Sequence, residues 1–577
     1  MELHAYTRTI SDLFSVKRKY VVPRFQREYS WTKEQVRELW DDITMHMSLK
    51  GTAYEHEEYF IGALVLVGDD KSPILQIVDG QQRLTTITIL LSALCDRFVE
   101  IGKENIAQSI YENYIAGKDD DGNEYFKLEN ETPKPFFQTN IQHLIKETQT
   151  PTSDEEKTLH SSYKDLFQFS SKENLAASRG VTTKSISNDE YEIYLKALRD
   201  QVVKNLKVIF ITVNEEEEAY TIFETLNARG MNLSFVDLIK NKLFKELTSK
   251  HPDDKAKTSW KSIRTVISSR DSVGSMETFV RHWWISKYSY VSAEKVYANF
   301  KELWSKGEIN AQQFINDLHE DAKLYIQIAA PNPDDFKQQE DKYIYKSLNA
   351  FKIFGLAQQR PFLLSLLRAK QKKTLKTAEI KKTLIFLENF HYKFNAVCSL
   401  RPSGVEGSYS KAARDLRSAK NRTEAKVVLQ TLTKRLKERE PDLATFKEKF
   451  SEIKFYKGFT KDKKLIQYTF TKMEVHLNGS TELVPENITL EHILAQSNGI
   501  ETTIGQIGNL LPLSVELNLA AGNKDIPDKI GIYQSSQFEM AKSFSSNFKG
   551  KWALKEISKR TDKLAESAYT DIWELTN

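Results

Sequence analysis

The chain has 577 residues, 40% of them hydrophobic and 28% charged, with 83 Lys or Arg against 79 Asp or Glu for a net charge of +4. With 22 Gly and 14 Pro it has the apolar content for several packed cores and lacks the signature of a disordered or fibrous chain. Two isolated cysteines, Cys95 and Cys398, exclude a disulfide framework or a Cys-rich zinc ribbon. No segment reads as a secretion signal or reaches the ~18 apolar residues of a membrane span, so a cytoplasmic protein with no membrane partner is expected.

Residues 33–47 place Val36, Leu39, Trp40 and Ile43 on one helical face. YFIGALVLVG (59–68) and ILQIV (74–78) read as strands joined by an Asp-Lys-Ser-Pro turn, a hairpin, and a long apolar helix begins after DGQQR. Residues 101–190 are polar, with KDDDGNEY and KETQTPTSDEEK as surface loops, and are expected to be an insertion with some helix. KVIFITV (207–213) returns to strand. EEEEAYTIFETLNARG (215–230) reads as a helix with Ala219, Ile222, Phe223 and Leu226 on one face and Gly230 as its stop, and Ser234 with Asp237 opens the next. From 246 to about 400 the pattern is helical. There His282 and His391 sit among aromatics, where core packing outweighs function.

The segment 488–524 reads as a strand ending in Glu491-His492, a loop, a second strand around Asn509-Leu510-Leu511, and a helix carrying Asn518. Phosphodiester hydrolysis needs an activated water and stabilised phosphate charge; a neutral imidazole takes the water proton near pH 7, and the oxygens of Glu491 and Asn518 suit Mg²⁺. A lone His is usually structural, but this order of strands and helix reverses the odds. At 79–83, Asp79, Gly80, Gln81, Gln82 and Arg83 lie where a strand gives way to a helix. Backbone N–H groups at a helix start favour anions, and Arg83 offers a bidentate phosphate donor. Asp-Gly turns are common, so these residues alone are a moderate signal. No GxxxxGK[ST] occurs, so any nucleotide site is not a P-loop.

These blocks carry a resemblance. Glu-His, Ile-Gly-Asn-Leu and Leu-Asn look like an HNH, or ββα-metal, endonuclease motif in the variant called DUF1524, with Ala495 where relatives often have Pro. PRFQREYSW (23–31), IVDGQQRLTTI (77–87) and FETLNARGMNLSFVDLIKNKLF (223–244) look like DUF262, whose core resembles the ParB/sulfiredoxin-like fold. Together they resemble the GmrSD-type restriction and anti-phage proteins. The resemblance implies that His492 is the general base, that Glu491 and Asn518 hold the metal, and that Asn509 braces the loop and the catalytic His. It also implies that Lys524 or Asn523 touches DNA and that Asp79, Gly80, Gln81, Gln82 and Arg83 bind and hydrolyse NTP. Gln26, Arg27, Tyr29 and Trp31 are expected neighbours of that turn, and Asn227 and Arg229 candidates for the nucleotide or DNA cleft.

The expected fold is α+β and predominantly helical. Residues 1–245 are expected to form a ParB/sulfiredoxin-like NTP-binding sensor domain, 246–400 a helical linker domain, and 401–577 a nuclease domain with its ββα motif at about 486–524. The expected function is an NTP-dependent, modification-dependent (type IV-like) endonuclease of anti-phage defence, with Mg²⁺ or Mn²⁺ and GTP, ATP or UTP. Its expected substrate is double-stranded, modified phage DNA, and a homodimer is left open. The alternatives are an NTP-regulated DNA-binding effector without cleavage and an HNH nuclease directed at RNA. Residues 401–472 carry 19 Lys or Arg against 9 Asp or Glu. Charge runs are usually solvated faces, but beside a nuclease Lys411, Arg414, Arg417 and Arg422 are expected to contact DNA phosphates.

Overall fold

The computed structural model describes residues 4–23, 26, 28–131, 135–215, 218–219, 222, 234–247, 255–270, 273–479, 488–498 and 501–576. The chain is predominantly helical with a small mixed sheet, and it groups into two compact units, residues 1–257 and 258–577. Among the described residues no helix is long and apolar enough to cross a membrane.

The first unit is built on six strands, β1 (His4–Thr9), β2 (Lys19–Val22), β3 (Tyr59–Val67), β4 (Ile74–Asp79), β5 (Leu128–Asn130) and β6 (Leu206–Val213). Their order is β1-β6-β3-β4-β2-β5. The expected hairpin is β3–β4, antiparallel with Leu66 opposite Ile77, and its turn is closed by Ser72 N–H donating to the Asp69 carbonyl at 2.8 Å. Helix α1 (Lys33–Met45) buries Val36, Leu39, Trp40 and Ile43 as the periodicity predicts.

Helix α2 (Gln81–Glu100) follows β4 after the single residue Gly80 and is apolar nearly all round, so it runs through the core. Its Thr-rich start is a poor helix former in isolation. Tertiary burial overrides that preference, and the hydroxyls of Thr86 and Thr88 donate back to the carbonyls of Gln82 and Leu84 (2.8 and 2.9 Å). Helix α3 (Asp154–Phe169) starts inside TSDEEK, where Ser153 and Glu156 form a reciprocal cap, rather than leaving that stretch a loop. Strand β5 likewise belongs to the central sheet, pairing in parallel with β2, so residues 101–190 contribute to the main core. Helix α4 (Phe235–Glu246) starts at Ser234, whose Oγ accepts the N–H groups of Val236 and Asp237. The expected helix over 215–230 lies largely outside the described residues.

The second unit includes helices α5 (Met276–Lys287), α6 (Ala311–Ala329), α7 (Arg360–Gln371) and α8 (Glu406–Ser418). His282 and His391 are core residues. His282 Nδ1 lies 2.7 Å from Tyr325 Oη, and His391 sits between Asn395 Oδ1 and Tyr409 Oη (2.5 and 2.7 Å). Burial pushes their imidazoles down to about 3 and about 4. The chain ends on the antiparallel pair β7 (Thr489–His492) and β8 (Leu510–Leu513), then α9 (Val515–Ala521), α10 (Ile526–Gln534) and α11 (Leu554–Ser567), packed on one apolar core.

Candidate functional sites

At the first candidate site Gly80 is required twice over. Its φ is +92°, and a Cβ there would lie 2.9 Å from Leu64 Cδ1 and 3.2 Å from the Ala63 carbonyl oxygen. Helix α2 starts at a glycine that has no capping side chain, and a helix start favours an anion. Gln82 clamps the incoming chain, its Oε1 accepting Ser30 N–H (2.9 Å) and its Nε2 donating to the Glu28 carbonyl (3.2 Å).

Arg83 corrects the sequence reading. Its guanidinium donates to the carbonyls of Ile61 (2.7 Å) and Ala63 (2.8 Å) on β3 and to Asp79 Oδ2 (3.2 Å). It braces the strand instead of projecting as a phosphate fork, and Asp79 is its counter-ion. A Cβ on Gly62 would come 1.9 Å from Arg83 Nη1, so the glycine makes room for this arginine.

Beside the helix start lies a narrow pocket lined by Gln26, Glu28, Gln81, Gln82, Asn130 and Glu155, a cavity of about 10 Å³. Tyr29 is buried, its hydroxyl bonded to Thr86 and Ser162, and Trp31 packs half-buried on the core. Glu155 Oε1 accepts Tyr29 N–H at 3.0 Å, and Lys257 Nζ lies 3.7 Å from its Oε2 and 3.3 Å from Glu28. Burial raises the Glu155 carboxyl to about 7, opposed by Lys257. Arg27, Asn227, Arg229 and Gly230 lie outside the described residues. Asn130 and Glu155 escaped the sequence reading, because β5 is three residues long and only tertiary pairing brings α3 to this turn.

At the second site β7 pairs Glu491 with Leu511 and His492 with Leu510. Successive strand residues face opposite sides. His492 is nearly buried and stacks on Phe455, with Nε2 2.9 Å from the Phe455 carbonyl oxygen and Nδ1 3.3 Å from Gln496 Nε2. A carbonyl only accepts, so Nε2 carries the proton and Nδ1 is the basic nitrogen of a neutral ring. Burial, partly opposed by the bond to Phe455, holds the imidazole below its ordinary 6.5.

Asn509 is fully buried and ties down the loop after His492. Its Oδ1 accepts Leu494 N–H and Trp552 Nε1–H (2.9 and 3.1 Å), and its Nδ2 donates to the carbonyls of Leu494 and Ile504 (3.1 and 2.8 Å). Arg560 on α11 donates to the carbonyls of Gly508 and Leu510 from the other side. Asn509 is therefore placed as a brace and has no side-chain atom left for substrate.

Glu491 faces α10, where its Oε1 takes Lys529 Nζ at 2.7 Å and Tyr533 Oη–H at 3.0 Å. Lys529 is fully buried and also donates to the His492 carbonyl at 2.8 Å. Asn518 Nδ2 donates to Thr489 Oγ1 at 2.9 Å. The metal expected on Glu491 and Asn518 does not fit this arrangement, since a divalent cation on that carboxylate would share it with the buried ammonium of Lys529. Among the described residues no group of three His, Cys, Asp or Glu is placed to hold a metal. Lys529 and Tyr533 went unread in the sequence because they lie 38 and 42 positions beyond Glu491 with no local periodicity linking them.

In the basic stretch Arg417 is a second correction. Its side chain is 9% exposed and pairs with fully buried Asp321 at 2.7 Å, so it faces the core rather than DNA. Arg414 donates to Ser410 Oγ, Lys411 pairs with Asp415, and Arg422 grips Glu379, the last two at exposed positions. Lys524, just after α9, is exposed.

Two family models match the chain: the N-terminal domain of the GmrSD restriction endonuclease over residues 10–244, and the C-terminal domain of GmrSD restriction endonucleases over residues 440–567. A search of curated proteins finds no match.

Proposed function

The chain belongs to the GmrSD restriction endonuclease family, whose substrate is DNA, and we propose that its second unit hydrolyses DNA phosphodiesters with His492 as the general base. The observation that carries this is the Phe455 carbonyl on His492 Nε2. It fixes the tautomer with a lone pair on Nδ1, and burial keeps that ring neutral at pH 7. The Gln496 contact to Nδ1 is long, so exchanging it for water costs little. His492 Nδ1 then takes a proton as the water oxygen bonds to phosphorus, the ester bond to the leaving deoxyribose oxygen breaks, and that oxygen departs with the electron pair and is protonated by solvent, while Asn509 holds the following loop in place. Lys529, paired with Glu491 and bonded to the His492 carbonyl, holds the strand that carries the base.

The first unit binds and hydrolyses an NTP whose phosphates meet the N–H groups at the start of α2, with Gly80 permitting close approach and Arg83 stiffening the turn from behind. Nucleotide turnover then governs cleavage of modified DNA in defence against phage. The test is cleavage of matched plain and modified DNA with Mg²⁺ and each NTP. His492→Ala is expected to lose ~10²–10⁴-fold in cutting rate with DNA binding retained. Cutting at the wild-type rate by that variant would overturn the nuclease assignment.

A further inference from the structure

The pocket beside Gly80 has a chemical character of its own. Asn130 is 3% exposed, and its Oδ1 is buried with no hydrogen-bond partner. Leaving such an acceptor empty is costly, and a water is the smallest group that satisfies it. The pocket's space of about 10 Å³ matches roughly one water, and it offers polar partners on several sides. One of them, Glu155, is held by Tyr29 N–H through Oε1 and is 7% exposed. The pocket is lined by Gln81 and Gln82 of the first turn of α2, so a molecule in it is a neighbour of any anion on that helix start.

We propose that this pocket positions the attacking water of the NTPase, with Glu155 as its general base and Asn130 Oδ1 as the acceptor that orients it. The inference rests on the nucleotide reading of the Gly80 turn. Water oxygen bonds to the γ-phosphorus, the bond from that phosphorus to the β,γ-bridging oxygen breaks, and the bridging oxygen leaves with the electron pair on the diphosphate. The water proton passes to the Glu155 carboxylate and from there to solvent. A carboxyl with its affinity for protons near neutrality suits the task. The charged groups facing it are Lys257, which favours the carboxylate, and Glu28, which opposes it.

The test uses the full chain with GTP, ATP and UTP, reading nucleotide affinity and phosphate release separately across pH 5.5–8.5. Glu155→Gln keeps an acceptor for Tyr29 N–H. It is expected to bind NTP within ~3-fold of wild type, to release phosphate at least ~100-fold more slowly, and to lose the acid limb of the rate profile near pH 7. Asn130→Ala is expected to lose ~10-fold in kcat with KM nearly unchanged, an independent arm should the first variant fold poorly. Phosphate release by Glu155→Gln at the wild-type rate, with the same pH profile, would overturn the inference while leaving the nucleotide site standing. Loss of binding instead of turnover would also overturn it, by making Glu155 a nucleotide contact. Wild-type protein that neither binds nor hydrolyses any NTP would remove the nucleotide reading and this inference with it.

Discussion

Gly62 and Arg83 are 21 positions apart and make one device. The glycine adopts φ +108°, which an L side chain reaches only at a cost of about 1–2 kcal/mol, and its missing Cβ leaves the space that Arg83 Nη1 fills. Gly62→Ala therefore forces the guanidinium off the Ile61 and Ala63 carbonyls or moves β3. It is expected to lower the stability of the first unit by about 2–4 kcal/mol in denaturant titration. With Arg83→Ala in the background the same substitution should cost clearly less, and strictly additive losses would show that the two residues are not coupled. Arg83 also shows why single residues were read unevenly. DGQQR announced a turn before a helix, and the turn is there. The partners that turn the arginine inward are carbonyls on another strand, and carbonyls leave no mark in a sequence. Arg417 turns inward for a different reason, a carboxylate partner lying 96 positions away that no local pattern links to it. His282 and His391 were read correctly because their aromatic neighbours are adjacent in sequence.

Between elements, what joins α5, α6, α7 and α8 is a buried carboxylate. Asp321 on α6 accepts Trp283 Nε1–H from α5 (2.8 Å), Arg368 from α7 (2.7 Å) and Arg417 from α8 (2.7 Å), while neighbouring Asp317 takes Lys287 and the other arm of Arg368. Removing the shared anion leaves two largely buried guanidinium groups without it. Asp321→Ala should destabilise the second unit by about 3–5 kcal/mol, whereas Arg422→Ala, which breaks a solvent-exposed pair with Glu379, should cost far less. Equal losses in thermal unfolding would deny Asp321 this role. Periodicity found α1 because it buries one apolar face, while α5 and α7, buried nearly all round, were legible from their dense apolar runs. It left β5 and α3 inside a presumed insertion because a three-residue strand has no period and the cap at Ser153 was hidden among acidic residues. At the second candidate site the order of strand, strand and helix was legible from apolar runs and turns. The direction of Glu491 was not, since it depends on Lys529 and Tyr533 of α10.

At the scale of the whole chain the net charge of +4 averages over unlike parts, with the excess of Lys and Arg concentrated in residues 401–472. The two compact units differ in the same way in their buried titratable groups, and that difference has a sign. In the second unit His282 and His391 titrate far below the free imidazole, so the unfolded chain binds protons that the folded one refuses. Their contribution is complete above pH 6.5 and is lost as pH falls, by about 2 kcal/mol each at pH 5. His492 adds to this loss, and burial of Glu474 and Glu491, which raises both carboxyls, offsets part of it. In the first unit Glu155 does the opposite. Its folded carboxyl holds a proton up to about pH 7, so it favours folding in acid and stops doing so as pH rises through 7, a change of about 2 kcal/mol between pH 5 and 7, opposed in part by His160 and by the lowered carboxyls of Glu34, Asp119, Glu156, Glu190 and Glu192. Calorimetry at pH 7 and pH 5 should accordingly show the transition of residues 258–577 moving to lower temperature while that of residues 1–257 holds or rises, and Glu155→Gln should abolish the rise. Two transitions that move together, in the wild type and in Glu155→Gln alike, would mean that these buried groups do not set the acid response of either unit.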